Sequence, residues 1–494
     1  MNLLVLPLLV PLLTAVILLL VPRRPLLQRS ISFAGSVAEA TVAIMLFIQV
    51  EQQGIQVLQS GGWAAPFGIT LVADLLTALL IAAAGIVGLA VAASSFAGVD
   101  PKRETSGYHG LLHVLLMGVA GAFLTGDLFN LYVWFEVMLV ASFVLMSLHR
   151  TQAQLQAAFK YVTLNLLASS LFLTALGLLY GSTGTLNMAD LAVVFRARQI
   201  TTFELVLAVL FLVAFGVKAA LFPLFFWLPA SYHTPPAAVG AIFAGLLTKV
   251  GVYSLIRVIT LLYPHAPPVL YNLILVQAGC TMIAGLIGAV AQRDFRRVLS
   301  FNLVGHIGYT TVGLALMTPS AMAGSIVYML HHIFVITNLY LISGIFLRLR
   351  RTTDLASLGS IYRNQPIVAV VAMIPLFSLA GVPPLSGFVG KLALLRGTFD
   401  AGAFWTSAVI LIVGVLTLLS MARLWDEAFW KPAPHADKTT LTGAVLAPIA
   451  CLTVMTLGFT VAAEPVLRLA SRASDQLLQP QGYIDAVLKG GSRQ

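Results

Sequence analysis

The sequence predicts an all-α polytopic membrane protein of about fourteen transmembrane helices. Of its 494 residues, 59% are hydrophobic and only 9% are charged, whereas soluble domains carry about 25% charged residues. Its apolar runs approach the roughly 20 residues that an α-helix needs to cross the hydrocarbon core. Two of these runs, near 215–229 and 379–391, contain proline and glycine and predict two broken helices.

Fourteen runs are long and apolar enough to span a bilayer. Their approximate bounds are 2–21, 30–50, 70–97, 109–126, 129–148, 158–180, 203–228, 236–260, 268–290, 298–317, 321–347, 366–397, 403–424 and 440–462. Arg23 and Arg24 follow the first run and no positive segment precedes it, which favours a retained helix over a cleaved signal peptide.

The lysines and arginines predict the orientation of the chain. Seventeen of them fall in alternate loops beginning at 22–29, and eight fall in the opposite loops and the C-terminal tail. Because cytoplasmic loops carry an excess of positive charge, both termini are expected on the non-cytoplasmic side of a bacterial inner membrane. Asp74 opens its run and is expected at the membrane interface. The net charge of +10 does not indicate nucleic-acid binding, since it is spread over short loops.

The sequence offers no room for a catalytic domain. Its longest polar stretches are 51–69, 181–202 and 463–494, and it contains neither a Walker A motif nor a dinucleotide fingerprint. Cys280 and Cys451 lie in apolar runs and have no metal-binding spacing. We therefore expect no cofactor, no metal and no enzymatic activity of the chain alone.

The two interrupted runs predict internal repeats. Pro223 lies in the seventh run, and Pro383 and Pro384 lie in the twelfth. Proline removes a backbone N–H and crowds the preceding turn. Interrupted segments in matching positions of two halves are a pointer to a transport site, although proline and glycine are also common in membrane helices. We predict two inverted five-helix repeats, because the interrupted runs lie five spans apart.

Four domains follow from this division. Residues 1–108 would hold helices 1–3, and residues 109–260 would form the first repeat with helices 4–8. Residues 261–424 would form the second repeat with helices 9–13. Residues 425–494 would hold helix 14 and a tail.

Four charged residues lie inside apolar runs: Glu136, Lys218, Lys249 and Lys391. A charge near the centre of a membrane helix costs about 2.5–3.5 kcal/mol on insertion scales, and such residues mark ion and proton pathways. Buried lysines can gain and lose protons. Two static roles stay open: Glu136 and Lys218 could form a structural salt bridge, and Lys391 could snorkel to the interface. Glu39 also lies deep in a run, and the sequence assigns it no role.

Five histidines are candidates for polar sites. His306, His331 and His332 lie in runs ten and eleven, where an imidazole could relay protons between its two nitrogens. A hydrogen-bonded core position is an equally reasonable role for each of them. His109 and His113, four residues apart, could bind metal, but without an adjacent acidic or cysteine residue a structural role is favoured.

Three segments resemble the antiporter-like subunits shared by respiratory complex I and the Mrp-type multisubunit cation/proton antiporters. They are Tyr132-Val-Trp-Phe-Glu136-Val-Met-Leu, Lys218-Ala-Ala-Leu-Phe-Pro-Leu-Phe-Phe-Trp-Leu-Pro229 and Leu379-Ala-Gly-Val-Pro-Pro-Leu-Ser-Gly-Phe-Val-Gly-Lys391. The resemblance covers nearly the whole chain. It implies an ion pair between Glu136 and Lys218, a central axis with Lys249 and His332, and a terminal exit residue at Lys391.

Within this family, Glu136, Lys391 and the ending Gln481-Gly-Tyr-Ile-Asp-Ala-Val-Leu488 are similar to the D subunits of Mrp antiporters. This resemblance implies the A, B, C, E, F and G subunits as partners and exchange of Na⁺, or another monovalent cation, for H⁺. Ile336 departs from close relatives, which often carry lysine there. That departure shifts the expected relay to His332 and water.

Two other functions stay open. The chain could be a proton-pumping subunit of a complex I-type NADH dehydrogenase or a membrane-bound hydrogenase, because both classes share the channel. It could also be a purely structural assembly subunit. The sequence reveals no Na⁺ route, since no cluster of oxygen ligands suited to a hard cation stands out beyond Glu136.

Overall fold

Helices form nearly all of the chain in the computed structural model, which describes residues 2–22, 24–98, 104, 106–148, 151–433 and 441–490. The helices are α1 (Leu6–Leu20), α2 (Pro25–Gln53), α3 (Leu75–Gly98), α4 (Tyr108–Leu124), α5 (Leu128–Ser147), α6 (Gln152–Thr183), α7 (Met188–Arg196), α8 (Thr202–Ala219), α9 (Ala237–Leu262), α10 (Pro268–Ala291), α11 (Phe295–Leu316), α12 (Pro319–Arg350), α13 (Pro366–Ala380), α14 (Ser386–Asp400), α15 (Phe404–Trp430), α16 (Gly443–Val461), α17 (Ala463–Leu478) and α18 (Gln481–Gly490). Two strands, β1 (Gln56–Gln59) and β2 (Thr70–Ala73), form an antiparallel hairpin. Trp227–Ser231 and Ile361–Asn364 add short helical turns.

The predicted membrane-spanning runs are confirmed as helices. Within the described residues, 12 helices are long and apolar enough to cross a membrane, and α4 and α13 are shorter apolar helices. Each of the fourteen predicted runs corresponds to one of these segments, with α13 and α14 together making the broken twelfth run. The long apolar runs predicted the spans because a helix needs about 20 predominantly apolar residues to cross the hydrocarbon core.

At two helix boundaries, four or more residues of the predicted run are not helical. The third run was expected to be helical from residue 70, but Thr70–Ala73 forms β2 and pairs with Gln56–Gln59. The seventh run was expected to continue to residue 228, but α8 ends at Ala219. Both errors arise because an apolar run measures the length of a buried segment and not its backbone conformation.

The first helical turn and the last two helices lie on the same face of the bundle as the β-hairpin. The first helical turn, Leu3–Val5, packs against β2. On the same face, the Gln59 side chain donates a hydrogen bond to the carbonyl of Val487 in α18 at 3.1 Å. The side chain of Gln476 in α17 accepts from the N–H of Leu75 at 3.0 Å, at the start of α3. The described part of the polar tail therefore forms two helices that cover this face.

Each half of the chain contains an equivalent β-bridge between two backbone segments. Asp127, just before α5, forms a β-bridge with Asn187 after α6. Asp294, just before α11, forms the equivalent bridge with Asp354 after α12. This correspondence agrees with two five-helix repeats, whose number and boundaries stay a prediction.

The two predicted breaks have the same local geometry. After the last residues of α8 and α13, Ala220 and Gly381 adopt left-handed backbone conformations. The next N–H groups, of Leu221 and Val382, donate back into the last helical turn at 2.8 and 3.1 Å. This is the hydrogen-bond pattern that closes a helix C-terminus. The predicted breaker residues (Pro223, Pro383 and Pro384) follow in the non-helical connections.

Two glycines allow close backbone packing around the breaks. A Cβ atom on Gly387 in α14 would lie 1.8 Å from the carbonyl oxygen of Ser378 in α13. A Cβ atom on Gly251 in α9 would lie 2.6 Å from the nitrogen of Ala219. The absence of a side chain at Gly251 therefore lets α9 contact the end of α8, where Lys218 is located.

A buried ion pair joins the start of α3 to α9. The Asp74 carboxylate lies 2.6 Å from the Arg257 guanidinium and accepts a hydrogen bond from the N–H of Thr77 at 2.9 Å. The rings of Tyr253 and Tyr483 lie 5.3 and 5.0 Å from that guanidinium. Asp74, which was expected at the membrane interface, is 2% exposed and is therefore buried within the protein. Arg257, counted among the loop charges, is likewise buried in α9.

Replacing Asp74 by alanine is expected to destabilise the protein by about 3–5 kcal/mol, because it leaves a buried guanidinium without its partner. The thermal midpoint of the purified protein measures the effect. Glu464→Ala is the matched control, since Glu464 and Arg468 form an exposed pair at 3.9 Å and such pairs contribute about 0–1 kcal/mol. Equal midpoints for the two variants would contradict this assignment.

Gly387→Ala is expected to reduce the amount of folded protein recovered in detergent, because the added methyl overlaps the Ser378 carbonyl. Overpacking of this kind costs about 1–3 kcal/mol. Size-exclusion chromatography gives the folded fraction. Gly414→Ala serves as the control, since a Cβ there meets no atom within 4 Å. Equal recovery of both variants would show that α13 and α14 are not packed as described.

Candidate functional site

Lys218 lies in the last turn of α8 with its amine directed into the bundle. The Nζ atom donates to the Ser169 hydroxyl at 3.0 Å and to the Asn165 carbonyl at 3.3 Å, both on α6. It also lies 5.3 Å from the centre of the Phe135 ring. The predicted direct ion pair with Glu136 is not formed, since no described carboxylate comes within 4.0 Å of the amine, and Glu136 Oε1 has no hydrogen-bond partner among the described residues.

A small cavity accompanies the Lys218 amine. Its volume is about 20 Å³, and Asn165, Tyr161, Trp227 and Leu247 are among its lining residues. A space of this size accommodates about one water molecule. Because Leu247 belongs to α9, the cavity lies between the helix of Lys218 and the helix of the next buried lysine.

Lys249 is 1% exposed and lies just after a widened turn of α9. Its Nζ atom donates to the carbonyl of Ala244 at 2.6 Å, within the π-helical turn Phe243–Leu247. Such turns are often found at functional sites. Gly245 lets this turn pack against α12, because a Cβ there would lie 2.2 Å from the Thr337 hydroxyl oxygen.

Histidines from α11 and α12 stack against each other, and α12 also contacts the π-helical turn of α9. The rings of His306 and His332 stack with centroids 5.1 Å apart, and the Tyr328 hydroxyl hydrogen-bonds His306 Nδ1. Both nitrogens of His332 lack a partner among the described residues. The structure therefore brings His332 together with His306, whose role the sequence left open.

A chain of hydroxyl groups continues from His331 to the second break. His331 Nδ1 lies 2.9 Å from the Ser386 hydroxyl, which lies 2.8 Å from the Ser378 hydroxyl. Ser378 lies in the last turn of α13 and Ser386 begins α14. Neither serine was predicted from the sequence, although their positions on either side of the Pro383-Pro384 pair were an available signal.

Lys391 lies in α14 and faces the broken end of α13. Its Nζ atom donates to the carbonyls of Ala380 at 2.7 Å and Leu379 at 3.4 Å. These are among the last carbonyls of a helix, which lack helical partners and carry partial negative charge. The Tyr309 ring lies 5.7 Å away. Snorkelling to the interface does not occur, because the amine is directed at backbone inside the protein.

The three lysines share one chemical environment. Each amine donates to a main-chain carbonyl, and none lies within 4.0 Å of a described carboxylate. Carbonyl oxygens stabilise the ammonium form without fixing it in an ion pair, so releasing a proton breaks no salt bridge. With the histidines and serines between them, these amines form a series of groups that can accept and donate protons.

A metal centre does not emerge from the described part of the chain, where no three His, Cys, Asp or Glu side chains are grouped to hold an ion. The predicted members of the functional site all lie between α5 and α14: Glu136, Lys218, Lys249, His332 and Lys391.

Comparison with known proteins places this series in a family. The family model described as NADH:quinone oxidoreductase/Mrp antiporter, TM, matches residues 125–419, which include all five predicted residues. The D subunit of the Na(+)/H(+) antiporter of Alkalihalophilus pseudofirmus is 44% identical over 99% of both chains. The protein of the same name from Bacillus subtilis is 40% identical over 99% of both chains.

The fold agrees with the sequence comparison. A chain in the structure of the Mrp complex from Dietzia sp. superposes with a TM-score of 0.91 and 32% identity, covering 98% of this chain and 99% of that one. The extent of both similarities shows that the relationship includes the N-terminal helices and the tail as well as the central series. The chain belongs to the NADH:quinone oxidoreductase/Mrp antiporter transmembrane family.

Proposed function

We propose that this chain is the proton-translocating D subunit of a multisubunit antiporter that exchanges Na⁺, or another monovalent cation, for H⁺. The observation that carries the proposal is the series of buried amines held by carbonyl oxygens at membrane depth. Ionisable groups inside a membrane are expensive to keep and usually serve ion or proton movement. The named relatives support the antiporter assignment, and the chain acts as a transporter subunit rather than an enzyme.

The proton route follows the order Glu136, Lys218, Lys249, His332 and Lys391. A water molecule in the cavity beside Lys218 would join α8 to α9, and the stacked imidazoles would join Lys249 to the second half. From there, His331 and the two serines lead to the break beside Lys391. A positive charge arriving at one amine favours release of a proton from the next, since like charges repel strongly where water is scarce.

The two inverted repeats would connect the proton route to opposite faces of the membrane. The matching bridges and matching helix breaks support a first repeat at 109–260 and a second at 261–424. An odd number of spans per repeat inverts the second copy, so the two breaks open toward opposite faces of the membrane.

The termini are proposed to lie outside the cytoplasm. The first helical turn and the last two helices lie on the face that carries the β-hairpin, and the opposite face bears most of the positive loops. Positive loops remain on the cytoplasmic side of a bacterial inner membrane. The cytoplasmic face is therefore the one where α2 begins and α3 ends.

The A, B, C, E, F and G subunits would complete the complex. Among the described residues, Glu136 belongs to no group of three or more His, Cys, Asp or Glu side chains, and a hard cation needs several oxygen ligands. We therefore place the Na⁺ route in another subunit or at a subunit boundary. This chain would supply the proton half of the exchange.

A redox-driven proton pump is the second candidate, because the matching family model includes NADH:quinone oxidoreductase subunits. The same amine series would serve in that case. The two functions differ in what drives the protons: Na⁺ gradients move protons only through an antiporter. The extended similarity to the named antiporter subunits favours the first function.

Lys218→Ala in the assembled complex is expected to abolish Na⁺-driven proton movement, because it removes the amine between Glu136 and α9. Inside-out vesicles with a fluorescent pH indicator measure the exchange. Lys160→Ala is the control, since Lys160 is an exposed lysine on α6. Normal exchange by an assembled Lys218→Ala complex would eliminate the proposed route and favour a structural role.

A further inference from the structure

A second set of buried polar groups lies on α2 and α4, away from the route described above. On α2, Ser32, Ser36 and Glu39 follow one another at three- and four-residue spacing and therefore share one face of the helix. Each of the three is at most 4% exposed. On α4, His109 and His113 are separated by one turn, and both are fully buried.

This set begins at the face where α2 starts. Arg29 Nε lies 2.8 Å from Glu104 Oε1, and the Arg29 side chain keeps 17% of its surface exposed. The same carboxylate oxygen lies 3.6 Å from His109 Nε2. The exposed arginine, the buried carboxylate and the first imidazole thus connect the surface to the space between the two helices.

The contacts continue into the membrane. His113 Nε2 lies 3.2 Å from the hydroxyl and 3.1 Å from the carbonyl oxygen of Ser32. One turn further along α2, the Ser36 hydroxyl has no hydrogen-bond partner among the described residues. Glu39 Oε2, three residues beyond Ser36, is also buried without such a partner.

Glu39 lies near the middle of the membrane. Ten residues of α-helix separate it from Arg29, a rise of about 15 Å at 1.5 Å per residue. That is about half of the roughly 30 Å hydrocarbon core. No described Lys, Arg or His nitrogen comes within 4.0 Å of its carboxyl group, so an ion pair does not explain its presence there.

The chemistry of this set suits protons better than metal cations. A hard cation such as Na⁺ prefers a shell of several oxygen ligands, whereas this set alternates imidazole, hydroxyl and carboxyl groups. Imidazole, hydroxyl and carboxyl groups can each accept a proton and donate one. The Arg29 guanidinium at the entrance would also repel a metal cation.

We propose that α2 and α4 form a proton-access path from the face bearing Arg29 to Glu39 at the membrane midplane. A proton passes from the Glu104–His109 pair to His113, then along the Ser32 and Ser36 hydroxyls and intervening water to the Glu39 carboxylate. Each transfer forms one O–H or N–H bond as the previous one breaks. The path rests on the proposed function only in that the parent complex moves protons.

Glu39→Gln in the assembled complex is expected to lower cation/proton exchange by about a hundredfold, the lower end of what a positioned proton-transfer group contributes. Glu39→Asp should restore much of the rate, because it keeps a carboxyl group. His113→Gln should also be slow, since an amide keeps a hydrogen bond but does not relay protons. Glu51→Gln, on the same helix but in an exposed pair with Arg472 at 2.7 Å, should exchange normally.

Full exchange by an assembled Glu39→Gln complex would overturn the path. Lys218→Ala, measured in parallel, separates the two proposals: a normal rate there with a slow Glu39→Gln variant would refute the central route and leave this path standing. The opposite result would refute this path alone.

Labelling provides a readout that does not depend on exchange activity. A hydrophobic carbodiimide modifies protonated carboxyl groups, and mass spectrometry locates the adduct. In inside-out vesicles with a buffered interior, labelling of Glu39 should fall as the external pH rises, and His113→Gln should weaken that dependence. Labelling of Glu39 that ignores the external pH would contradict access from this face.

Discussion

Main-chain carbonyl oxygens hold the buried lysine amines of this protein, and much of the architecture follows from that interaction. Inside a bilayer, every backbone polar group needs a partner within the protein. Interrupting a helix therefore creates unpaired carbonyls that an amine can satisfy. Lys391 meets the end of α13, and Lys249 meets the π-helical turn of α9. The amine thus satisfies carbonyl oxygens that the irregular backbone leaves unpaired, and these oxygens stabilise the buried positive charge.

The surrounding bundle keeps these contacts in place. Helix α9 is buried from Ala238 to Leu262 and packs against the end of α8 through Gly251. The buried Asp74–Arg257 pair ties α9 to the start of α3, beneath the C-terminal helices. Removing any of these contacts would shift an amine relative to its carbonyl, so parts of the chain far from the proton route still determine its geometry.

Much of the fold could be predicted from the sequence, because the membrane leaves few choices. Apolar length located all fourteen spans, and Pro223 and the Pro383-Pro384 pair located both breaks. The hairpin strand β2 was missed because Thr70–Ala73 continues an apolar run, and hydrophobicity does not distinguish a strand from a helix over four residues. The buried ion pair of Asp74 could not be predicted, because its partner Arg257 lies 183 positions away in the sequence.

The candidate site was predicted less completely. Buried charges are visible in a sequence, so the three lysines, Glu136 and His332 could be named. The hydroxyl chain through Ser378 and Ser386 could not, because serine is common in helices and only the folded backbone brings these two side chains to His331. The predicted ion pair between Glu136 and Lys218 is not formed. The family resemblance implied this pair, but in the structure the Lys218 amine donates its hydrogen bonds to residues of α6.

The proposed proton route requires that the lysines release protons and do not merely provide positive charge. Lys391→Arg tests this requirement most directly, because a guanidinium keeps the charge and the hydrogen-bond donors but is not deprotonated in proteins. An adjacent cavity of about 440 Å³ gives the larger side chain room. Proton flux by the assembled complex in proteoliposomes under a Na⁺ gradient is the measurement. We expect an assembled complex with no exchange, and exchange at the normal rate would contradict proton release by Lys391.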